Sequence, residues 1–336
     1  MSVSRAFLGE GSFGRVYKRV DPEGTFAIKE GKEKHIIREH SILDYLKDRV
    51  DFATSNVIVM FGMSIEEVEG SRLGCLKLEF HEMTLDRYVT IQGGRLSLEK
   101  TARVVRELIK ALIFLFRVGV IHADIKPPNV LITGDRVTLA DFGNSILWDQ
   151  VKSATYMQSR WYRSPEVILG IPATPAVDIW SLAVLISEIY VENIFIADSE
   201  KELVALHQTR LGRSYPDELL QKSSLSGLLQ LQMSRAKNVE PLVNMIADRM
   251  EESDGDEIFS QKKQLFDLLD KMLEFSPERR IMPLAVLKHP FSSIREASLV
   301  HLDVIVLVSM PRFSGEILRT TLQETKKTKG CHCTIS

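Results

Sequence analysis

Asp124, Lys126, Asn129 and Asp141 are the residues of this chain whose types and spacing can together do chemistry. The chemistry they suit is phosphoryl transfer, which needs little covalent help from a protein and much positioning of phosphates, metal ions and the attacking hydroxyl. Asp124 can orient that hydroxyl or take its proton, Lys126 can steady the transferring phosphate, and Asn129 and Asp141 present oxygens suited to Mg²⁺. Upstream, Gly9, Gly11 and Gly14, followed by Val16, form G-x-G-x-x-G-x-V between two predicted strands, where glycines let backbone N–H groups come close to phosphates. The next strand ends Phe26-Ala27-Ile28-Lys29, a pattern whose lysine contacts α and β phosphates. Each piece has an ordinary alternative: hairpin glycines, a surface lysine, acids that cap helices or turn loops. Their order along the chain favours the phosphate reading.

The elements that must position these residues fall into two parts. Up to about residue 80, short β-rich runs (15–19, 25–29 and 56–62) alternate with Gly and acidic turns. One helix interrupts them over about 34–47, with Ile36, Ile37, Ile42, Leu43 and Leu46 near helical spacing. After residue 80 the pattern becomes helical. Residues 98–118 place Ala102, Val105, Leu108, Ile109, Leu112 and Phe116 on one stripe, with Ser97 as N-cap and Gly119 as stop. Further helices are expected over 179–190, after Asp178, and over about 262–274, with Leu265, Leu268, Leu269, Met272 and Leu273 inward. The expected organisation is an α+β, two-lobed enzyme: a small β-rich lobe over 1–80, a larger helical lobe over 81–295 and a tail over 296–336. Residues 221–260 read as a solvated insertion without chemistry, ending in the acidic run Glu251, Glu252, Asp254, Asp256 and Glu257.

Bulk properties agree with a two-lobed enzyme and exclude some partners. The chain has 336 residues, 44% hydrophobic and 26% charged, enough for sizeable cores. A formal net charge of −2 gives no global pull toward nucleic acid or membrane, and no direct nucleic-acid binding is expected. Cys75, Cys331 and Cys333 are too few for a disulfide framework, which favours a reducing, intracellular compartment. The start is no signal peptide, and no run reaches the roughly 18 apolar residues of a membrane span; the stretch 299–310 is short and carries Asp303.

The tail ends Lys326-Lys327-Thr328-Lys329-Gly330-Cys331-His332-Cys333-Thr334-Ile335-Ser336. Its last four residues fit C-a-a-X, with serine selecting farnesyl, and the lysines with Cys331 supply the second element that stable anchoring needs. Membrane contact is expected only if Cys333 is prenylated; the alternative is a chance match. Cys331, His332 and Cys333 are adjacent and ill suited to a tetrahedral zinc site.

Taken together, Ile121-His122-Ala123-Asp124-Ile125-Lys126-Pro127-Pro128-Asn129, Asp141-Phe142-Gly143, Ser164-Pro165-Glu166 and Asp178-Ile179-Trp180-Ser181 resemble the eukaryotic protein kinases over about residues 5–294. Ser159-Arg160-Trp161-Tyr162-Arg163-Ser164-Pro165-Glu166 looks like the CMGC branch. Within it, His122-Ala123-Asp124-Ile125-Lys126-Pro127 and residues 261–280 are similar to the pre-mRNA processing four kinases, in which alanine replaces the usual arginine before the catalytic aspartate.

The resemblance implies the bilobal kinase fold, ATP and Mg²⁺ as cofactors, and transfer of the γ-phosphoryl to serine or threonine of protein substrates, Arg/Ser-rich spliceosomal proteins among them, in the nucleus or cytoplasm. It implies that Glu39 pairs with Lys29, although their separation is shorter than usual. Leu78 would be the gatekeeper, with Glu79 to His81 as the hinge whose backbone meets adenine, and Val16, Ala27 and Leu131 would sandwich the ring. Glu166 would pair with an arginine of Arg279-Arg280. Tyr156 would be an activation-loop phosphorylation site, with Arg160 and Arg163 as partners of the phosphate. Ala123 stands where an arginine usually helps read that phosphate, which weakens its coupling to the catalytic site. A pseudokinase scaffold is the alternative outside enzymes; Lys29, Asp124, Asn129 and Asp141 all being present argues for activity. A Tyr-regulated or MAP-type signalling kinase is the alternative within them, and Ala154 removes the Thr-x-Tyr of the MAP type.

Overall fold

The computed structural model describes residues 4–11, 14–68, 70–152, 156–192, 194–223, 239–250 and 255–295. The chain begins with strands β1 (Ser4–Gly11), β2 (Gly14–Asp21) and β3 (Gly24–Lys32), followed by helix α1 (Glu33–Lys47) and strands β4 (Met60–Val68) and β5 (Ser71–Glu79). All pair antiparallel in one sheet, in the order β1-β2-β3-β5-β4. The runs expected at 15–19 and 25–29 lie inside β2 and β3. The run expected at 56–62 does not belong wholly to the sheet. Asn56, with φ of 58°, turns the chain so that its carbonyl accepts from the Leu139 amide at 2.8 Å, and the Leu139 carbonyl accepts from Ile58 at 2.9 Å. Asn56, Ile58 and Leu139 therefore stitch the sheet region to the helical region.

Helix α1 follows β3 without an intervening loop. Glu33 in its first turn and Lys47 in its last match the helix dipole. Ile36, Leu43 and Leu46 are fully buried, and Ile36 sits over Gly74 of β5, where an added Cβ would lie 2.7 Å from the Ile36 Cβ. Glycine at 74 thus sets how closely the helix meets the sheet. Ile42 packs at the core margin, whereas Ile37, expected to face the sheet, is 40% exposed. One residue on from Ile36 is a rotation of about 100°, which carries a side chain off the buried stripe. Glu39, by contrast, lies on that stripe and is buried with it.

The larger part starts with β6 (Met83–Thr84), α2 (Leu85–Ile91) and α3 (Leu98–Arg117). Ser97 caps α3 by accepting from the Lys100 amide at 3.3 Å, and Gly119, with φ of 72°, ends it in the left-handed conformation that glycine tolerates. Strand β7 (Val120–Ile121) pairs with β10 (Ile146–Leu147), and β6 pairs with β8 (Val130–Thr133), which pairs with β9 (Arg136–Leu139). Then come α4 (Pro165–Ile168), α5 (Ala176–Glu188), α6 (Glu200–Arg210), α7 (Asp217–Gln221), α8 (Leu242–Ala247), α9 (Asp256–Met272) and α10 (Pro283–Leu287).

Helix α5 is apolar all round and buried from Ala176 to Ser187, the mark of a central helix. It starts ahead of Asp178 rather than after it, because Asp178 has another use, described below. Helix α9 likewise starts earlier than expected. Asp256 and Glu257, read from sequence as solvated insertion, occupy its first turn, where the positive end of the helix favours acids. Leu242 and Ile246 of α8 are buried, so part of 221–260 packs on the core. The acids Glu251, Glu252 and Asp254, the stretch 299–310 and the Cys331, His332 and Cys333 cluster lie outside the described residues. Among the described residues no helix is long and apolar enough to cross a membrane. Cys75 is a buried free thiol.

Candidate active site

The site is built on the loop after β7. Two consecutive amides there, His122 and Ala123, donate to the two oxygens of Asp178 on α5, at 2.8 and 2.9 Å. Ala123 adopts φ of 63°, a left-handed conformation that costs a non-glycine residue energy and is fixed here by that pair of bonds. Asp178 is 3% exposed; burial pushes its carboxyl up to about 7, with the two amides pulling the other way. Replacing it by Asn leaves one amide facing an NH₂ group. A buried donor so orphaned costs about 1–3 kcal/mol, so Asp178→Asn is expected to lower the urea midpoint by a corresponding amount and to disorder the loop that carries Asp124.

The turn places Asp124, 2% exposed, at the centre of a polar net. Its Oδ1 accepts from the Ser159 hydroxyl at 2.6 Å, and its Oδ2 accepts from Lys126 at 3.0 Å and from Asn129 Nδ2 at 3.1 Å. Burial acts to raise this carboxyl, but the Ser159 bond and the Lys126 charge outweigh it and hold Asp124 below the usual range. His122 keeps the backbone in place: its Nδ1 accepts from the Asp124 amide at 3.2 Å, so Nε2 carries the proton donated to the Ala140 carbonyl at 3.0 Å. Full burial pushes this imidazole down and keeps it neutral.

Asn129 reaches the same centre through Nδ2, which donates to the Asp124 carbonyl at 2.7 Å. Its own carbonyl accepts from the Ala140 amide at 2.9 Å, which brings it beside Asp141. Asp141, with φ of 64°, accepts from Gly143 at 3.3 Å and from Lys29 Nζ at 2.8 Å. Lys29 also meets Glu39 at 2.6 Å. The direct join of β3 to α1 accounts for the short Lys29 to Glu39 separation: no loop residues intervene, and Glu39 arrives on the buried stripe. Burial disfavours charge on both partners; the Glu39 and Asp141 carboxylates outweigh it for Lys29, whose ammonium is held above its usual range.

The glycine hairpin joins β1 to β2, with Gly11 opposite Gly14. A Cβ at Gly14 would meet the Glu30 carbonyl oxygen at 1.8 Å, so this glycine is required by packing on β3, whereas Gly9 and Gly11 face open space. Val16, Ala27 and Leu131 are all half-buried, and Leu78 is buried. The hinge expectation is narrowed at Glu79: its amide already donates to Val59 at 2.9 Å, and its carboxylate grips Arg136. The His81 ring turns away to Thr133, Nδ1 to Oγ1 3.2 Å, and toward Glu79.

Tyr156 is 74% exposed, which excludes a buried structural tyrosine. Arg163 stacks on its ring with Cζ 4.0 Å from the centroid, and Arg160 donates to the Asp198 carbonyl at 2.7 Å. Ala123 lies in an apolar cluster with Ile121, Met157, Ala173 and Val177. Glu166 and Arg280 form a fully buried two-pronged ion pair, at 2.7 and 2.9 Å, which identifies Arg280 rather than Arg279 as the partner.

Sequence reasoning did not single out Ser159 or Gln158 individually. Gln158 has φ of 65°, and its side chain bonds the Val177 carbonyl, Ser181, and the Ser164 amide and hydroxyl. A left-handed glutamine carries no local signal. The sequence marks Asp178 as the residue before a helix and as part of the Asp178-Ile179-Trp180-Ser181 pattern, and only the fold shows what its two oxygens hold.

A two-lobed chain that gathers a glycine hairpin, a buried Lys–Glu pair and an ionised aspartate at the lobe junction is of the phosphotransferase class. The chain matches the protein kinase domain over residues 3–292 and belongs to that family. Its relatives include the dual specificity tyrosine-phosphorylation-regulated kinase 2 of Drosophila melanogaster, 28% identical over 84% of this chain and 40% of the relative. The serine/threonine-protein kinase prp4 of Schizosaccharomyces pombe is 28% identical over 86% of this chain and 66% of the relative. The extracellular signal-regulated kinase 2 of Dictyostelium discoideum is 26% identical over 95% of this chain and 90% of the relative. The chain therefore spans under two thirds of the length of the first two.

Proposed function

We propose that the chain transfers the γ-phosphoryl of ATP to serine or threonine hydroxyls of proteins. The observation that carries this is the simultaneous closure of Lys29 onto Glu39 and Asp141 with Asp124 held ionised nearby. Lys29 would meet the α and β phosphates, and the unobstructed Gly9 and Gly11 would let backbone approach them. Val16, Ala27 and Leu131 supply apolar faces for adenine, whose edge would meet the Glu79 carbonyl and the His81 backbone. Asp124 accepts a hydrogen bond from the incoming hydroxyl and fixes its direction of attack, while Lys126 steadies the transferring group. Asn129 and Asp141 offer an all-oxygen donor pair that fits Mg²⁺ and would hold it; when bound, that ion would offset phosphate charge.

Substrate selection is supported by Gln158. Its left-handed backbone turns its carbonyl to Arg163 Nη2, at 3.0 Å, and so away from a peptide lying along the loop. The residue after the phosphoacceptor then finds no acceptor for its N–H, and proline, which has none, suffers no loss. Peptides with Ser-Pro are expected to be transferred to about tenfold faster than Ser-Ala peptides at low concentration, the worth of roughly one unmet hydrogen bond.

The prp4 relative, with the resemblance of His122-Ala123-Asp124-Ile125-Lys126-Pro127 to the pre-mRNA processing four kinases, supports spliceosomal Arg/Ser-rich proteins as substrates and a nuclear site of action. The exposed Tyr156 and the tyrosine-phosphorylation-regulated relative support the second reading, a Tyr-regulated signalling kinase. The deciding experiment measures labelled phosphate transfer from ATP with Mg²⁺ onto an Arg/Ser-rich protein and a generic basic protein, with Asp141→Asn as control. Transfer to serine that the control abolishes supports the enzyme, and preference for the first substrate supports the splicing reading. No transfer in any phosphorylation state sinks the enzyme reading and leaves the scaffold.

A further inference from the structure

Arg163 is the hub of the segment that faces a substrate. It is 2% exposed, and its donors are committed: Nε to the Met157 carbonyl at 3.1 Å, Nη2 to the Gln158 carbonyl at 3.0 Å, and Nη1 to the carboxylate of Glu200. Two neutral carbonyls cannot balance a buried guanidinium; an uncompensated buried charge is strongly destabilising. Glu200, the first residue of α6, supplies the missing negative charge from a side chain only 31% exposed. The same carboxylate oxygen lies 4.0 Å from Arg160 Nε. Both arginines that a phosphate on Tyr156 would need thus already face one anion of the chain itself. Ala123, the third position from which such a phosphate would be read, is sealed among apolar side chains.

We propose that Glu200 is a positioning residue for the peptide substrate: the built-in anion that sets Arg163, and through it the turn at Gln158 and Ser159, without a phosphate on Tyr156. The proposal rests on the kinase reading above. Arg163 keeps the Gln158 carbonyl turned from the substrate, and the next residue, Ser159, holds Asp124. Loss of the Glu200 charge loosens that turn, so both peptide affinity and the discrimination for proline fall, while the nucleotide site, formed by Lys29, Glu39 and Asp141, is untouched.

The test compares wild type, Glu200→Gln and Glu200→Asp, all phosphatase-treated and checked by mass. Phosphatase-treated wild type is expected to keep its activity. A charge-assisted hydrogen bond is worth about 1.5–3 kcal/mol, so Glu200→Gln is expected to raise the peptide KM by roughly tenfold or more and to erase most of the Ser-Pro over Ser-Ala preference, with the ATP KM unchanged. Glu200→Asp should recover part of both. A role limited to stability would lower the melting temperature without moving selectivity, so unchanged selectivity and peptide KM in Glu200→Gln overturn the proposal. So does a phosphatase-treated wild type that is inactive until Tyr156 is phosphorylated. If wild type transfers to no substrate in any state, the kinase reading fails. The positioning claim is then decided by hydrogen exchange of residues 156–163: faster exchange in Glu200→Gln supports it, and equal exchange overturns it.

Discussion

Asp141→Asn is expected to lower phosphoryl transfer by about 10³-fold, because charge stabilisation at such a site is worth several kcal/mol and each 1.36 kcal/mol is tenfold in rate. The substitution keeps shape and size, and an amide oxygen can still accept from Gly143, so the left-handed turn at Asp141 survives. What is lost is the negative charge that Lys29 meets at 2.8 Å and that a divalent cation needs. The Lys29 to Glu39 contact at 2.6 Å remains, so the lobes should stay registered and nucleotide binding without metal should change little. The expected pattern is therefore a large fall in kcat, little change in peptide KM and an unchanged unfolding midpoint. Wild-type kcat in the Asn variant would show that the reacting centre has been placed wrongly.

The candidate site residues could be picked out in sequence because each sits in a short local pattern, and the fold brings Lys29, Asp124, Asn129 and Asp141 into one polar centre. Helix α1 was legible for a different reason. Its buried stripe runs Ile36, Leu43 and Leu46, and the acid that falls on the same stripe, Glu39, can be buried only against a cation. The pairing with Lys29 was expected from the family resemblance, and the buried stripe supplies the physical reason that the two must meet. Less legible were contacts between distant segments. Asp178 holds a loop far from it in sequence, and Glu200 answers Arg163 across the gap between α4 and α6. Asp178 sits in the Asp178-Ile179-Trp180-Ser181 pattern, which does not say what its oxygens hold, and Glu200 has no local motif, since an acid in the first turn of a helix is ordinary. The limits of α5 and α9 were misjudged at their N-termini, where Asp178, read as preceding its helix, and Asp256 and Glu257, read as solvated surface, belong to the helices.

The two ends of the activation segment are held by different physics. On the side of the catalytic loop, Ala123 and Met157 join Ile121, Ala173 and Val177 in an apolar cluster, which is insensitive to charge. On the side of α6, Arg163 is held by the charge of Glu200 together with the Met157 and Gln158 carbonyls. The two ends are joined at Met157, whose side chain lies in the apolar cluster and whose carbonyl accepts from Arg163 Nε at 3.1 Å.

Arg280→Met is expected to destabilise the fold by about 3–5 kcal/mol, the cost of leaving one member of a buried ion pair without its partner. Glu166 and Arg280 are both 0% exposed in their side chains, and the guanidinium further donates to the carbonyls of Ala176 at 2.8 Å, Glu274 at 2.9 Å and Phe275 at 3.3 Å. One side chain thus ties α4 to the start of α5 and to the segment just after α9. Arg280→Lys retains the charge but cannot reproduce the planar fork, so it should fall between wild type and Met. Adding Glu166→Gln to Arg280→Met removes the stranded carboxylate and should recover part of the loss, which makes the double variant more stable than Arg280→Met alone. Urea unfolding followed by tryptophan fluorescence reads this directly, because the buried Trp180 lies with its ring 5.3 Å from the Arg280 guanidinium, whereas Trp148 and Trp161 are 36% and 40% exposed. A double variant no more stable than Arg280→Met would mean that the carbonyl bonds, not the ion pair, carry the stabilisation.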